Sequence, residues 1–135
     1  MRGKIHGIAL AAAVLACGPR PDSQTNSLLK QGRQYTAWLY GSQYQKLWER
    51  FSPDMRQTFG SVADLASFAG LAVTRLGQER GQVDEKIDAE SPLRIYSRTS
   101  TFDRSRHKML LEWTMAEDGA VTGLVLRPAI DSESQ

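Results

Sequence analysis

The chain of 135 residues contains one cysteine, Cys17, so an internal disulfide is excluded. Its two histidines, His6 and His107, are too few for a site built from histidine and cysteine ligands. No apolar run approaches the roughly 20 residues of a membrane-spanning helix. A Gly-x-Ser-x-Gly elbow and a glycine-rich phosphate loop are also missing. We therefore expect no catalytic residue, metal or cofactor to be identifiable from motifs.

The first sixteen residues have the pattern of an export signal. Arg2 and Lys4 make a short basic start, and residues 8–16 form an apolar run that ends directly before Cys17. A basic start, a short apolar stretch and small residues before a cleavage point are the marks of a secretory signal. We therefore expect residues 1–16 to be removed and the remainder to work outside the cytoplasm.

The residues before Cys17 resemble the lipobox of bacterial lipoproteins. Val14 is the aliphatic residue three positions earlier, and Ala16 is the small residue directly before the cysteine. The resemblance implies a diacylglyceryl unit on the Cys17 sulfur, and two or more acyl chains anchor a protein stably. Gly18 stands where inner-membrane retention uses an aspartate, which favours the periplasmic face of an outer membrane. The alternatives are an ordinary secretory signal or a cytosolic protein with a buried cysteine.

The charge balance argues against nucleic acid as a partner. The whole chain has a formal net charge of +2, from 17 basic and 15 acidic residues. Removal of Arg2 and Lys4 with the signal would make the two counts equal. A general nucleic-acid binder shows a basic excess, which is then missing.

The chain after the signal reads as one domain between polar ends. Residues 17–26 are expected to be the lipidated cysteine and a flexible tether. Residues 27–128 are long enough for one domain with its own core. Residues 129–135 are expected to be a disordered tail.

Helical spacing of apolar residues predicts three helices in the first half of this domain. Gly41 is expected to break or kink the helical run after the first helix, and Ser52-Pro53 is expected to end the second, with a short turn through Phe59 after it. Ser61 is a candidate N-cap for the third helix, which stops at Gly77. The apolar faces consist of Leu28, Tyr35 and Leu39 in the first helix, Tyr44, Leu47, Trp48 and Phe51 in the second, and Val62, Leu65, Ala69, Ala72 and Leu76 in the third.

Period-two alternation predicts strands in the second half, at 83–90, 93–102, 107–116 and 120–127. Asp118-Gly119 is the dipeptide that a tight hairpin prefers. Helices followed by strands are typical of the α+β class. We expect three N-terminal helices packed on a curved antiparallel sheet of about four strands, in a cone-like arrangement.

The stretch YQKLWERFSPDM at 44–55, followed by SVADL at 61–65, resembles a bacterial family of unknown function within the nuclear-transport-factor-two-like superfamily. That family has a similar helix ending in F-S-x-x-M and a following S-x-x-x-L start. The closing GAVTGL at 119–124 is similar to its last hairpin. The resemblance covers roughly residues 27–128. It implies a cone-shaped α+β fold that encloses a pocket, in exported proteins sometimes fused ahead of hydrolases, and it implies no catalytic residues.

Aromatic and basic residues supply the candidates for a ligand pocket or anion site. Tyr40 and Tyr44 could rim a pocket mouth with their hydroxyls in water, or belong to the core. Arg94, Tyr96 and Arg98 fall on one strand face, where guanidinium groups suit a carboxylate or phosphate. The alternative, which we favour, is a solvated face whose arginines pair with acids of the neighbouring strand, such as Asp84 and Asp88.

Glu85 is the best acidic candidate, because it is expected to share a face with Val83 and Ile87. A carboxyl group in an apolar cavity has the shifted pKa that an isomerase needs. The favoured alternative is an edge-strand charge pointing to water, and Glu112 is expected to be solvated for the same reason. His107 could act as a base, but its basic neighbours indicate a surface histidine.

Three functions remain open at this point. The leading hypothesis is a membrane-tethered domain of the cell envelope that binds a small ligand or a protein partner without catalysis. The second is a small cone-fold enzyme, isomerase- or hydrolase-like, with Glu85, Tyr96 or His107 as the acid–base group. The third is a structural module that forms a homodimer.

Overall fold

The computed structural model describes residue 3, residues 21–89 and residues 92–130. The expectations for the signal, for Cys17 and for residues 131–135 lie outside the described residues. The elements in chain order are α1 (Pro21–Tyr40), α2 (Tyr44–Arg50), α3 (Pro53–Phe59), α4 (Val62–Leu76), β1 (Glu79–Asp88), β2 (Arg94–Phe102), β3 (Met109–Met115) and β4 (Val121–Pro128). The predicted α+β class is confirmed, with the helices N-terminal to a four-stranded antiparallel sheet. In these ranges, no helix is both long and apolar enough to cross a membrane.

The helices differ from the prediction in number and in one boundary. The short turn predicted after Pro53 is a separate helix, α3, because the Ser52 hydroxyl caps it by accepting from the Met55 N–H at 3.2 Å. Helix α1 starts at Pro21, so residues 21–26, assigned to the tether, form its first turns. Proline suits the first turn of a helix. With its side-chain amide turned so that the oxygen faces the guanidinium group, Gln24 in this part accepts from Arg94 Nη2 of β2 at 2.8 Å.

The predicted caps of α4 are present. The Ser61 hydroxyl accepts from the Asp64 N–H at 3.1 Å at the start of this helix. Gly77 follows its last residue with a φ of 74°, in the left-handed region that favours glycine. The local signals therefore set both ends of this helix.

The sheet has the simple order β1-β2-β3-β4, so each strand pairs with its neighbour in sequence. β2, β3 and β4 lie within two residues of their predicted bounds, whereas β1 starts at Glu79 instead of Val83. The β1–β2 register shifts at Arg80 and again at Val83. Each shift inserts an unpaired residue and exchanges which residues point to the two faces. The first half of the strand therefore has no regular period-two alternation in its sequence.

The core lies between the helices and the inner face of the sheet. Tyr96 of β2, Trp113 and Met115 of β3 and Val121 of β4 are fully buried there. Tyr35 of α1 packs edge-on against Trp113, with ring centroids 5.9 Å apart. Helix α1 is therefore the element that covers the middle of the sheet.

A close approach between α1 and Tyr96 requires a glycine. A Cβ placed on Gly32 would lie 2.2 Å from Cγ of the Tyr96 ring. Helix backbone and ring are therefore in direct contact at this point. One turn later, Thr36 donates to the Gly32 carbonyl at 2.7 Å and accepts from Trp113 Nε1 at 3.0 Å, so the buried indole N–H is satisfied.

We expect Gly32→Ala to lower the free energy of unfolding by about 2 kcal/mol or more, because the added methyl overpacks a fully buried ring. The matched control is Gly70→Ala in α4, whose Cβ would meet only the Tyr44 hydroxyl at an ordinary 3.6 Å. That change should stabilise by up to about 1 kcal/mol through helix propensity. Urea unfolding of both variants measures the contrast, and equal effects would contradict it.

Candidate functional site

The first candidate site is a charged cluster on the inner face of the sheet, made of Arg33, Glu79, Glu85, Tyr96 and Arg98. The β1–β2 register places Glu85 opposite Arg98, two pairs away from Tyr96 and therefore on the same face. Helix α1 brings Arg33 to the same place, because its neighbour Gly32 lies on the Tyr96 ring. The cluster thus joins one helix and two strands.

Glu85 is surrounded by donors. Arg33 Nε donates to its two carboxylate oxygens at 3.1 and 3.0 Å, the Tyr96 hydroxyl donates to Oε2, and Arg98 Nη1 lies 3.6 Å from Oε2. The Glu85 side chain is only 7 % exposed, so the favoured interpretation as an edge charge pointing to water was wrong. Ile87 shares its inner face, whereas Val83 is 52 % exposed because the strand bulges there.

Arg98 is committed to carboxylates of its own chain. Its Nε donates to Glu79 Oε2 at 3.0 Å, and its Nη2 donates to Glu79 Oε1. Its Nη1 also donates to the Tyr96 hydroxyl at 3.4 Å. The prediction of a solvated face was wrong for Arg98 and Tyr96, because their side chains point toward the core. The acids that pair with Arg98 are Glu79 and Glu85, on that same side, instead of Asp84 and Asp88.

The network holds its members in their ordinary charge states. The Arg33 hydrogen bonds, with the Tyr96 hydroxyl adding to them, lower the pKa of Glu85 below its usual value against the opposing effect of burial. Burial, with the hydrogen bond to Glu85, raises the pKa of Tyr96 to about 12. Burial alone would raise the pKa of Glu79, but the Arg98 hydrogen bonds lower it overall. At neutral pH the cluster therefore contains two carboxylates, two guanidinium groups and a neutral phenol.

This electrostatic state does not suit proton abstraction. A general base works best when its pKa lies near the working pH, which for a carboxyl group means a raised value. The pKa of Glu85 is shifted the other way. Since its oxygens already accept from Arg33 and Tyr96, the cluster ties α1 to β1 and β2 as a balanced ion-pair network.

The second candidate site is an open groove of about 480 Å³ between the C-terminal ends of α1 and α4. Tyr40, Glu79, Asp103 and Arg104 line it together with residues of α4. Tyr40 packs with its ring edge-on to Phe102 at 5.5 Å, and burial raises the pKa of its hydroxyl. Tyr44 is not among the lining residues.

The third candidate is an apolar slot of about 90 Å³ between α4, the end of α1 and β4. Its lining contains no charged residue and consists of Leu39, Phe68, Ala69, Ala72, Val73, Leu124 and Leu126. Phe68 is 60 % exposed at the slot, and Leu71 on the same helix is 54 % exposed. The slot was not predicted, although Phe68 and Leu71 lie off the apolar stripe of α4 and were the signal that could have pointed to it.

The remaining candidates lie apart from these sites. His107 is exposed in the loop between β2 and β3, where its N–H donates to the Ser105 hydroxyl. Glu112 lies on the outer face, with Oε1 3.9 Å from Arg127 Nη2. Within residues 21–89 and 92–130, no three acidic, histidine or cysteine side chains are placed to hold a metal ion.

Comparisons of the chain with family models, with curated proteins and with solved structures give no match. The resemblance to the nuclear-transport-factor-two-like superfamily therefore stays a prediction.

We expect the protein to lose stability as the pH falls below about 4.3, the usual pKa of an unfolded glutamate. The folded-state pKa of Glu85 is lowered, so its stabilising contribution is complete above the unfolded value and disappears as pH falls through the folded value. Glu85→Gln should flatten this acid limb in melting curves from pH 7 to pH 2.5. Glu112→Gln, on the outer face, is the control, and an equally flattened limb there would refute the assignment.

Proposed function

We propose that this chain is a lipid-anchored protein of the cell envelope whose α+β domain is a non-catalytic binding module. The apolar slot would take a short aliphatic group of a small ligand. The observation that carries the proposal is the accessible slot itself, lined only by apolar side chains and bordered by the exposed Phe68. Large exposed apolar side chains at a concave site are typical of binding surfaces.

The location follows from the N-terminal sequence. The basic start, the apolar run and Val14-Leu15-Ala16-Cys17 together indicate export, cleavage and acylation. The start of helix α1 limits the distance between the acylated cysteine and the domain, because the helix begins at Pro21, four residues after Cys17. Four residues span at most about 14 Å, so acylation would hold this domain close to the membrane surface.

The size and chemistry of the slot select the occupant. Drug-sized ligands occupy pockets of about 300–1,000 Å³. The slot, at about 90 Å³, suits only a small part of such a molecule. With no charged residue in its lining, a polar or ionic group would lose its hydration there without a partner. A short alkyl end, with its polar remainder in solvent, satisfies both limits.

The alternative of a small cone-fold enzyme has less support. Glu85 and Tyr96 are bonded to each other and to arginines, with pKa shifts that keep the carboxylate charged and the phenol neutral. His107 is exposed in a loop away from both. Membership in the nuclear-transport-factor-two-like superfamily is also our proposal, supported by the helix-then-sheet order and by a pocket between helix and sheet.

Expression of the full chain in bacteria fed an alkyne-tagged fatty acid tests the anchor. We expect labelled protein in the membrane fraction, shortened by the signal of residues 1–16, and no label on Cys17→Ser, because the sulfur is the acceptor. Unlabelled, full-length native chain in the cytosol would exclude the envelope location.

The slot is tested with alkanoates of increasing chain length, monitored by the methyl NMR signals of Leu124 and Leu126. The sample is residues 18–135, which retains all described helices and strands. We expect affinity to rise about fourfold per buried methylene until the slot is full. Ala72→Leu fills the slot and should abolish the shifts, whereas Ala63→Leu, exposed on the same helix, should not. Equal behaviour of the two variants would count against this site.

A further inference from the structure

Among residues 21–89 and 92–130, no strand covers the outer edge of β4 over most of its length. The strand is at the end of the sheet order, with β3 on one side only. On the other side, among the described residues, the backbone pairing is at one point, where Phe51 bridges Val121 and the Ser52 N–H donates to the Val121 carbonyl at 2.9 Å. Beyond that point no described strand pairs with it.

The register identifies which backbone groups point outward. The Ala129 N–H donates to the Lys108 carbonyl, and hydrogen-bonded pairs alternate along an antiparallel ladder. From the β3–β4 register, Leu124 and Leu126 are then in non-bonded pairs, so their N–H and C=O groups face away from β3. Pro128 ends this edge because it has no N–H. The open segment, residues 123–127, is called the β4 window.

The other sheet edge is different in kind. β1 carries Arg80, Asp84, Lys86 and Asp88 and has two bulges, features that protect an edge strand from pairing with another chain. The β4 window has no charge before Arg127 and no irregularity in its pairing with β3. Of the two edges, β4 is therefore the one suited to accept a further strand.

We propose that the β4 window pairs antiparallel with the same window of a second copy of this chain, around a two-fold axis at Val125. In this register Leu124 of each copy lies opposite Leu126 of the other. The outward N–H and C=O groups of these residues then form four hydrogen bonds across the axis. The window extends two residues on either side of Val125. The Phe51 bridge lies beyond one end and Pro128 beyond the other. An interface of this type is self-complementary, as a two-fold dimer requires.

The side chains fit the same arrangement. Arg127 lies opposite Gly123 of the second copy, so no like charges face each other, and its own Glu112 is 3.9 Å away. Val125, 42 % exposed, meets its counterpart on the outer face. On the inner side, the stacked rings of Phe51 and Phe59 lead to Phe68, which places exposed apolar surface beside this edge. The proposal does not depend on what fills the slot.

A disulfide across the axis tests the register. The full chain in mild detergent carries Cys17→Ser, so that Val125→Cys supplies the only thiol. Residues directly opposite in a non-bonded antiparallel pair have Cα atoms about 4.5 Å apart, within the range that a disulfide accepts. On mild oxidation we expect at least tenfold more cross-linked dimer than from Val83→Cys, an exposed valine of β1. Equal yields from the two variants would overturn the proposal.

A charged residue at position 125 tests the interface without a covalent cross-link. Val125→Lys places two ammonium groups face to face and should weaken dimerisation at least tenfold in sedimentation experiments, while Val83→Lys should leave it unchanged. Thermal melts check that both variants fold. A native chain that stays monomeric at 100 μM, or a dimer that is insensitive to Val125→Lys, excludes pairing at the β4 window.

Discussion

The contact between Gly32 and the Tyr96 ring is the constraint on which the rest of the structure depends. Because the helix backbone lies directly on the ring, α1 has one position over the sheet. That position brings Arg33 within reach of Glu85 and Thr36 within reach of the Trp113 indole. Three residues within about one turn of α1 thus make an apolar, an ionic and a hydrogen-bonded contact to three different strands.

The inner face of the sheet is consequently divided into two regions. On the β1–β2 side, two arginines and two glutamates neutralise each other, so the burial of Glu79, Glu85 and Arg98 is compensated within the chain. On the β4 side, Leu124 and Leu126 face α4 across the apolar slot. Charged side chains hold helix and sheet together on one side, and accessible apolar surface lies on the other.

β4 presents apolar side chains in one direction and backbone hydrogen-bonding groups in another. Its inward side chains line the slot, and the backbone groups of the same two leucines face the open edge. A strand of period two presents both at once, because residues with inward side chains here also have outward backbone groups. A small ligand and a second copy of the chain would therefore meet the same residues through different atoms.

The sequence by itself determined the α+β class, the caps of α4, the bounds of three strands and the N-terminal lipidation hypothesis, because each depends on residues a few positions apart. The tertiary structure decided the direction of Glu85, the partners of Arg98 and the existence of the slot. Arg33 and Glu85 are 52 residues apart, and the bulge at Val83 decides which face Glu85 occupies. Local periodicity reveals neither a contact between residues so far apart in sequence nor a bulge. Both are set by how β1 pairs with β2 under α1.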